Sequence, residues 1–91
     1  MGKINLAITG CMGRMGQKLI KTAIKDKSTK LVALTENRSI KKKISGIKPE
    51  LNTEKALGKA NVIIDFTLPK CTFEVLRIAA KLKKRVVIGT T

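Results

Sequence analysis

The chain has no histidine, no tryptophan and no tyrosine, and only 6 acidic residues among its 91 positions. Without histidine, a zinc site would have to be assembled from carboxylates and thiols, and no metal is expected. The two cysteines, Cys11 and Cys71, lie far apart and form no C-x-x-C pair or second cluster. Free thiols of this kind fit a reducing, cytoplasmic setting. Aromatic content is 2%, from Phe66 and Phe73 alone. The core must therefore be aliphatic. Nucleic acid is not an expected partner, because single strands are usually held on stacked aromatic platforms. Long apolar runs are missing as well: Asn5 and Thr9 interrupt the first hydrophobic segment, and no basic stretch precedes it. The expectation is neither signal peptide nor membrane span, and no membrane partner.

What is present supports one folded domain. Hydrophobic residues make up 43% against 29% charged. A chain of this length hides roughly 60–65% of the surface its unfolded form exposes, enough for a single modest core. Lys and Arg number 20, for a net charge of +14. That balance admits anionic cofactors and acidic substrates, although many of the lysines serve only to solvate helix faces.

Ile4, Leu6 and Ile8 alternate with Asn5, Ala7 and Thr9, which predicts a strand ended by Gly10. Met15, Leu19, Ile20, Ala23 and Ile24 then recur at helical spacing, with Lys18, Lys21 and Lys25 opposite, over about Arg14 to Asp26. Leu31 to Thr35 reads as a second strand, and the basic stretch from Arg38 to Lys43, followed by Gly46 and Pro49, as a loop. A weak third strand falls around Ile47 to Leu51. Asn52 or Thr53 can cap a short helix over Glu54 to Leu57, ended by Gly58. Val62 to Phe66 is a buried strand, and a helix beginning near Pro69 reaches about Leu82 with Phe73, Leu76, Ala79 and Ala80 inward. Val86 to Ile88 is the last strand. Strand and helix alternate at short spacing, which specifies an α/β fold: a doubly wound, Rossmann-type parallel sheet with right-handed crossovers.

Gly10-Cys11-Met12-Gly13-Arg14-Met15-Gly16 lies between the first strand and the first helix. A pyrophosphate is held at this point of such a fold by free N–H groups and the positive end of the helix. The spacing is G-x-x-G-x-x-G; in the G-x-G-x-x-G frame Met12 and Met15 take the second and third glycine positions. Glu36 stands 20 residues beyond Gly16 at the end of the second strand, where a carboxylate bonds the adenosine ribose hydroxyls. Arg38 and Lys41 to Lys43 follow and offer charge for a 2′-phosphate, so signals for NADH and for NADPH coexist.

Three segments together resemble dihydrodipicolinate reductase: the Gly-x-x-Gly-Arg-Met-Gly run at 10–16, Asp65-Phe66-Thr67 followed by Pro69, and Val87-Ile88-Gly89-Thr90-Thr91. The resemblance covers the whole chain. It implies hydride transfer from NADH or NADPH to a cyclic dihydrodipicolinate-type dicarboxylate, giving tetrahydrodipicolinate in lysine (diaminopimelate) biosynthesis, by a homo-oligomeric protein. Carried over residue by residue, Gly10, Cys11, Met12, Gly13, Arg14 and Met15 would form the pyrophosphate loop, and Glu36 would hold the ribose. Phe66, Thr67, Gly89, Thr90 and Thr91 would line the nicotinamide crevice. Members that favour the phosphorylated cofactor often place an arginine directly after the acidic residue; here that position is Asn37, with Arg38 one step later.

The resemblance also implies a histidine pair and a lysine in a second domain, which bind substrate and supply a proton. This chain has no histidine, so residues 1–91 read as a dinucleotide-binding domain truncated before its last strand and before the substrate domain. No residue is nominated as catalytic, and the piece alone is expected to be inactive. Two other readings remain: a different NAD(P)-dependent oxidoreductase, since fold does not fix substrate, or a non-catalytic basic nucleic-acid-binding or regulatory module. Against the last, the lysines are spread over several elements and not gathered on one recognition helix.

Overall fold

Residues 3–66 and 69–89 are described by the structure, a computed structural model. Among these residues five strands and three helices follow one another: β1 (Ile4–Thr9), α1 (Arg14–Lys25), β2 (Thr29–Glu36), β3 (Glu50–Leu51), α2 (Glu54–Leu57), β4 (Val62–Asp65), α3 (Pro69–Leu82) and β5 (Arg85–Ile88). The strands form one sheet in the order β3-β2-β1-β4-β5, with every pairing parallel. This is the doubly wound arrangement that the alternating pattern predicts.

Alternation along each strand divides the core in two. Ala7, Ala33 and Ile63 face α2 and α3, where Leu57, Val75, Ile78 and Ala79 cover them. Leu6, Ile8 and Leu34 face α1, against Ile20 and Ala23. Full burial of each large aliphatic side chain stabilises by about 1.5–3 kcal/mol, and strands and helices share these residues: Leu6, Ile8, Leu34 and Ile63 from the sheet, Ile20, Leu57, Val75 and Ile78 from the helices. The β1–β2 register shifts between Leu6 and Ala7, so that Leu6 pairs with Leu31 and Ala7 with Ala33. The irregularity places both Val32 and Ala33 with the α3-side cluster, which accounts for the unbroken apolar run in β2.

Several expected details are corrected. Met15 and Ile24, placed on the inner face of α1, are 44% and 55% exposed. The contact line of that helix is Gly16, Ile20 and Ala23, because the helix approaches the sheet at Gly16 and the flanking residues are left outside. In α3, Phe73 is 74% exposed and Ala80 is exposed too, while Thr72, Val75, Ile78 and Ala79 point inward. Thr72 sets this phase: its hydroxyl donates to the buried carboxyl of Asp65, and a polar anchor of this kind leaves no trace in hydrophobic periodicity.

β2 begins at Thr29, two residues earlier than expected, because Thr29 and Lys30 pair with Ile4 and Asn5. The weak third strand shrinks to Glu50–Leu51. Ile47 instead pairs with Ile44, each N–H donating to the other's carbonyl at 2.9 Å, in a two-residue hairpin whose central Ser45 and Gly46 have φ of 51° and 80°. Both isoleucines pack on the α1-side core, so this hairpin covers the sheet beside α1. Thr53 caps α2, accepting from the Ala56 N–H at 3.2 Å.

Candidate functional site

The carboxyl ends of all five strands lie along one edge, and the strand order reverses between β1 and β4. Ligands of open α/β sheets bind outside this edge, at the reversal. The β1–α1 turn is built over it. Gly10 takes φ 69°, a left-handed conformation that lets the chain leave β1 abruptly. Its N–H and that of Cys11 both donate to the Thr35 carbonyl, at 3.0 and 3.2 Å, which locks the turn to β2. Cys11 turns inward and is fully buried in the α1-side core. It supports the underside of the turn, and burial pushes its thiol up to about 11, so it stays protonated at neutral pH.

Gly16 serves packing. A Cβ there would collide with the Gly10 carbonyl oxygen and lie 3.0 Å from the Cys11 Cα, so only glycine lets α1 sit this close to the turn. Gly13 is different. It is exposed, has an ordinary extended conformation (φ −74°, ψ 166°), and a Cβ would meet only the Gly10 carbonyl oxygen, at 3.4 Å. Nothing among the described residues requires a glycine at that position. As N-cap of α1 it offers no side-chain cap, so the first amides of the helix gain no acceptor from it. The turn is therefore shaped for an anion, which the helix end favours by about 0.3–1 kcal/mol per charge beyond its hydrogen bonds.

Phe66 follows β4 and Gly89 follows β5, and with Gly13, Arg14, Met15, Gly16 and Lys18 they line a cleft of about 430 Å³. A Cβ on Gly89 would run into the Phe66 ring, so this glycine admits the aromatic side chain. Thr67, Thr90 and Thr91, expected to line the same crevice, lie outside the described residues. Below the cleft, the Thr9 hydroxyl donates to one oxygen of the buried Asp65 carboxyl and the Thr72 hydroxyl to the other, at 2.6 Å for the latter. These bonds join the ends of β1 and β4 to α3.

On the other side, the Glu36 carboxylate accepts from the N–H of Met12 at 3.0 Å and of Asn37 at 3.1 Å. The acid thus stands directly against the glycine turn, where ribose hydroxyls would be read. Arg38 is exposed two residues further on. Asn37 reaches across to Cys71 of α3, its amide lying 3.8 Å from the sulfur. Sequence reasoning missed Gln17, whose side chain donates to the Met12 carbonyl at 2.9 Å and stiffens the turn from α1. It also missed the Asp65 network, because Asp65 reads simply as the end of an apolar strand. No group of three or more His, Cys, Asp or Glu side chains converges as a metal site among the described residues. No helix among them is long and apolar enough to cross a membrane.

A glycine turn over the reversal of a parallel sheet, an uncapped helix end and an acid closing β2 define the class: a Rossmann-type dinucleotide-binding domain. Comparison with known proteins narrows this. Residues 4–91 match the family described as "Dihydrodipicolinate reductase, N-terminus", and the chain belongs to that family. A 4-hydroxy-tetrahydrodipicolinate reductase of Pelagibacter ubique (strain HTCC1062) is 65% identical over 91 residues, covering 100% of this chain and 35% of the relative. That of Buchnera aphidicola subsp. Schizaphis graminum (strain Sg) is 40% identical over 99 residues, covering 94% of this chain and 36% of its own length. The dipicolinate-bound dihydrodipicolinate reductase from Paenisporosarcina sp. TG-14 superposes with a TM-score of 0.80 at 29% identity, covering 98% of this chain and 38% of that one. The chain thus spans about a third of the length of these relatives.

Proposed function

We propose that residues 1–91 are the dinucleotide-binding part of a reductase that passes hydride from NADH or NADPH to a dihydrodipicolinate-type dicarboxylate, yielding tetrahydrodipicolinate for lysine and diaminopimelate synthesis. Gly13 carries this reading. The protein has room for a side chain there, yet the position is glycine, at the uncapped end of α1 where a pyrophosphate would need close backbone approach. In this reading the amides of Arg14 to Gly16 hold the pyrophosphate, and Glu36 orients the adenosine ribose. Phe66 and Gly89 form the wall beside the nicotinamide, completed by Thr67, Thr90 and Thr91. The dinucleotide supplies the hydride. The chain's own residues bind it, orient it and shield one side of it, while substrate contacts and the proton donor belong to a further domain of the kind implied by the resemblance. A cytoplasmic location, in keeping with the free thiols of Cys11 and Cys71, and homo-oligomeric assembly of the longer protein are part of the same proposal.

The test is Gly13→Val. Its branched side chain fits the extended backbone at that residue but projects where phosphate would approach. NADH fluorescence titration should show binding lost by at least about a hundredfold, a cost of nearly 3 kcal/mol, with the circular dichroism of the sheet retained. Unchanged affinity would remove the turn from its role.

A further inference from the structure

A basic recess of about 350 Å³ lies at the opposite edge of the sheet, where β1, β4 and β5 begin. Ile4 and Val62 give it apolar lining, Asn61 an amide, and Lys3, Lys83, Lys84 and Arg85 its charge. The three strands are neighbours, so Lys3, Asn61 and Lys84, the residues just before them, stand side by side. Two interstrand spacings, about 10 Å, separate the outer pair. Like charges around one recess repel each other unless an anion joins them. Among the described residues no carboxylate does. Glu50, Glu54 and Glu74 pair with Lys59, Lys81 and Arg77. Asp26 accepts from Ser28, Asp65 lies buried between Thr9 and Thr72, and Glu36 is held at the glycine turn. The Asn61 oxygen is taken by the Asn5 N–H at 3.0 Å, so the polar side chains of the recess have only donors left to offer.

The backbone gives an independent sign. Lys83 follows α3 with φ 57°, in the left-handed region. Its N–H donates to the Ala80 carbonyl at 3.3 Å and that of Lys84 to the Ala79 carbonyl at 2.8 Å, a helix ending in which glycine is the usual residue. Lysine is strained there, and the helix end does not need its charge, because Lys81 already places a cation in the last turn. What lysine adds over glycine is charge on the recess. We propose that this edge binds a compact polyphosphate chain, of the kind carried by a nucleoside triphosphate or by inorganic polyphosphate. A single phosphate cannot join cations about 10 Å apart, whereas a chain of phosphates can, through charge-assisted bonds to Arg85 and the lysines. The dinucleotide proposed for the carboxyl edge carries fewer charges, set between two nucleosides, and is attracted less. The two sites stand independently of each other.

Amide chemical shifts followed during titration with tripolyphosphate, ATP, pyrophosphate and a hexaglutamate peptide test the assignment. Tripolyphosphate should move Asn61, Lys84 and Arg85 saturably, at least about tenfold more tightly than pyrophosphate does, and less tightly as salt rises. ATP as tight as tripolyphosphate assigns the site to nucleoside triphosphates, and weaker ATP assigns it to the free chain. The decisive variant is Lys83→Gly, which relieves the backbone and should raise Tm while weakening tripolyphosphate about five- to tenfold. Lys41→Gln, which removes a charge outside the recess, should leave that affinity unchanged. Four results overturn the proposal: unchanged affinity in Lys83→Gly, an equal loss in Lys41→Gln, hexaglutamate as tight as tripolyphosphate, or shifts confined to the glycine turn.

Discussion

Replacing Gly16 by alanine adds one methyl group at a close contact between α1 and the turn that precedes it. Its Cβ would overlap the Gly10 carbonyl oxygen and crowd the Cys11 Cα at 3.0 Å and the Gly10 carbonyl carbon at 3.1 Å. All three are backbone atoms, so no rotamer change relieves the clash, and α1 must move outward. Overpacking of a rigid contact costs about 3 kcal/mol, the upper part of its usual range. Alanine recovers about 1 kcal/mol over glycine in a helix, which leaves a loss of about 2 kcal/mol. For a domain of this size that lowers Tm by about 8–16 °C. Thermal unfolding followed by circular dichroism measures it, with Gly13→Ala as the comparison, where the Cβ meets only an ordinary 3.4 Å contact. There the loss should stay near that of a poorer N-cap, about 1 kcal/mol or less. A Gly16→Ala protein that melts at or above the parent temperature would show that helix and turn are not packed as described.

Two further outcomes follow from buried groups. The Cys11 thiol, pushed from its ordinary 9.0 up to about 11 chiefly by desolvation, keeps its proton in the folded state after it would ionise in the unfolded one. Its contribution is therefore fully present below pH 9.0 and is lost as pH rises towards about 11, so Cys11→Ala should flatten the alkaline fall in stability, and thiol reagents at neutral pH should modify Cys71 first. Asp65→Ala removes the acceptor of the Thr9 and Thr72 hydroxyls and should cost about 2–4 kcal/mol in denaturant unfolding. Asp65→Asn, which keeps one oxygen, should cost less; equal costs would deny the two-threonine arrangement.

The alternation of strands and helices, and the placement of the glycine turn between the first strand and the first helix, were legible because strand and helix patterns succeed one another at short spacing from Ile4 to Ile88. Glu36 was legible by position, at the end of β2. What escaped was set by contacts that carry no periodic signal. The phase of α3 follows a threonine hydroxyl on Asp65, not its apolar residues, so Phe73 faces out. The contact line of α1 follows the missing side chain of Gly16, so Met15 and Ile24 lie outside. Cys11 sits within the glycine motif yet points into the core, because backbone bonds to Thr35 fold the turn over it. Lys21 looked like one more solvated helix lysine. Only the hairpin at 44–47, unforeseen from sequence, brings Lys42 and Lys43 to one recess with it.

The central claim is that this edge of the sheet binds a dinucleotide across the turn between β1 and α1. Mapping amide chemical shifts during NADH titration tests it most directly, since the readout is residue by residue and needs no substrate. Saturable shifts are expected at Met12, Gly13, Arg14, Met15, Asn37, Phe66 and Gly89, with Asn61 and Lys84 at the opposite edge unmoved. Shifts centred on that opposite edge, or none at saturating cofactor on a folded protein, would contradict it.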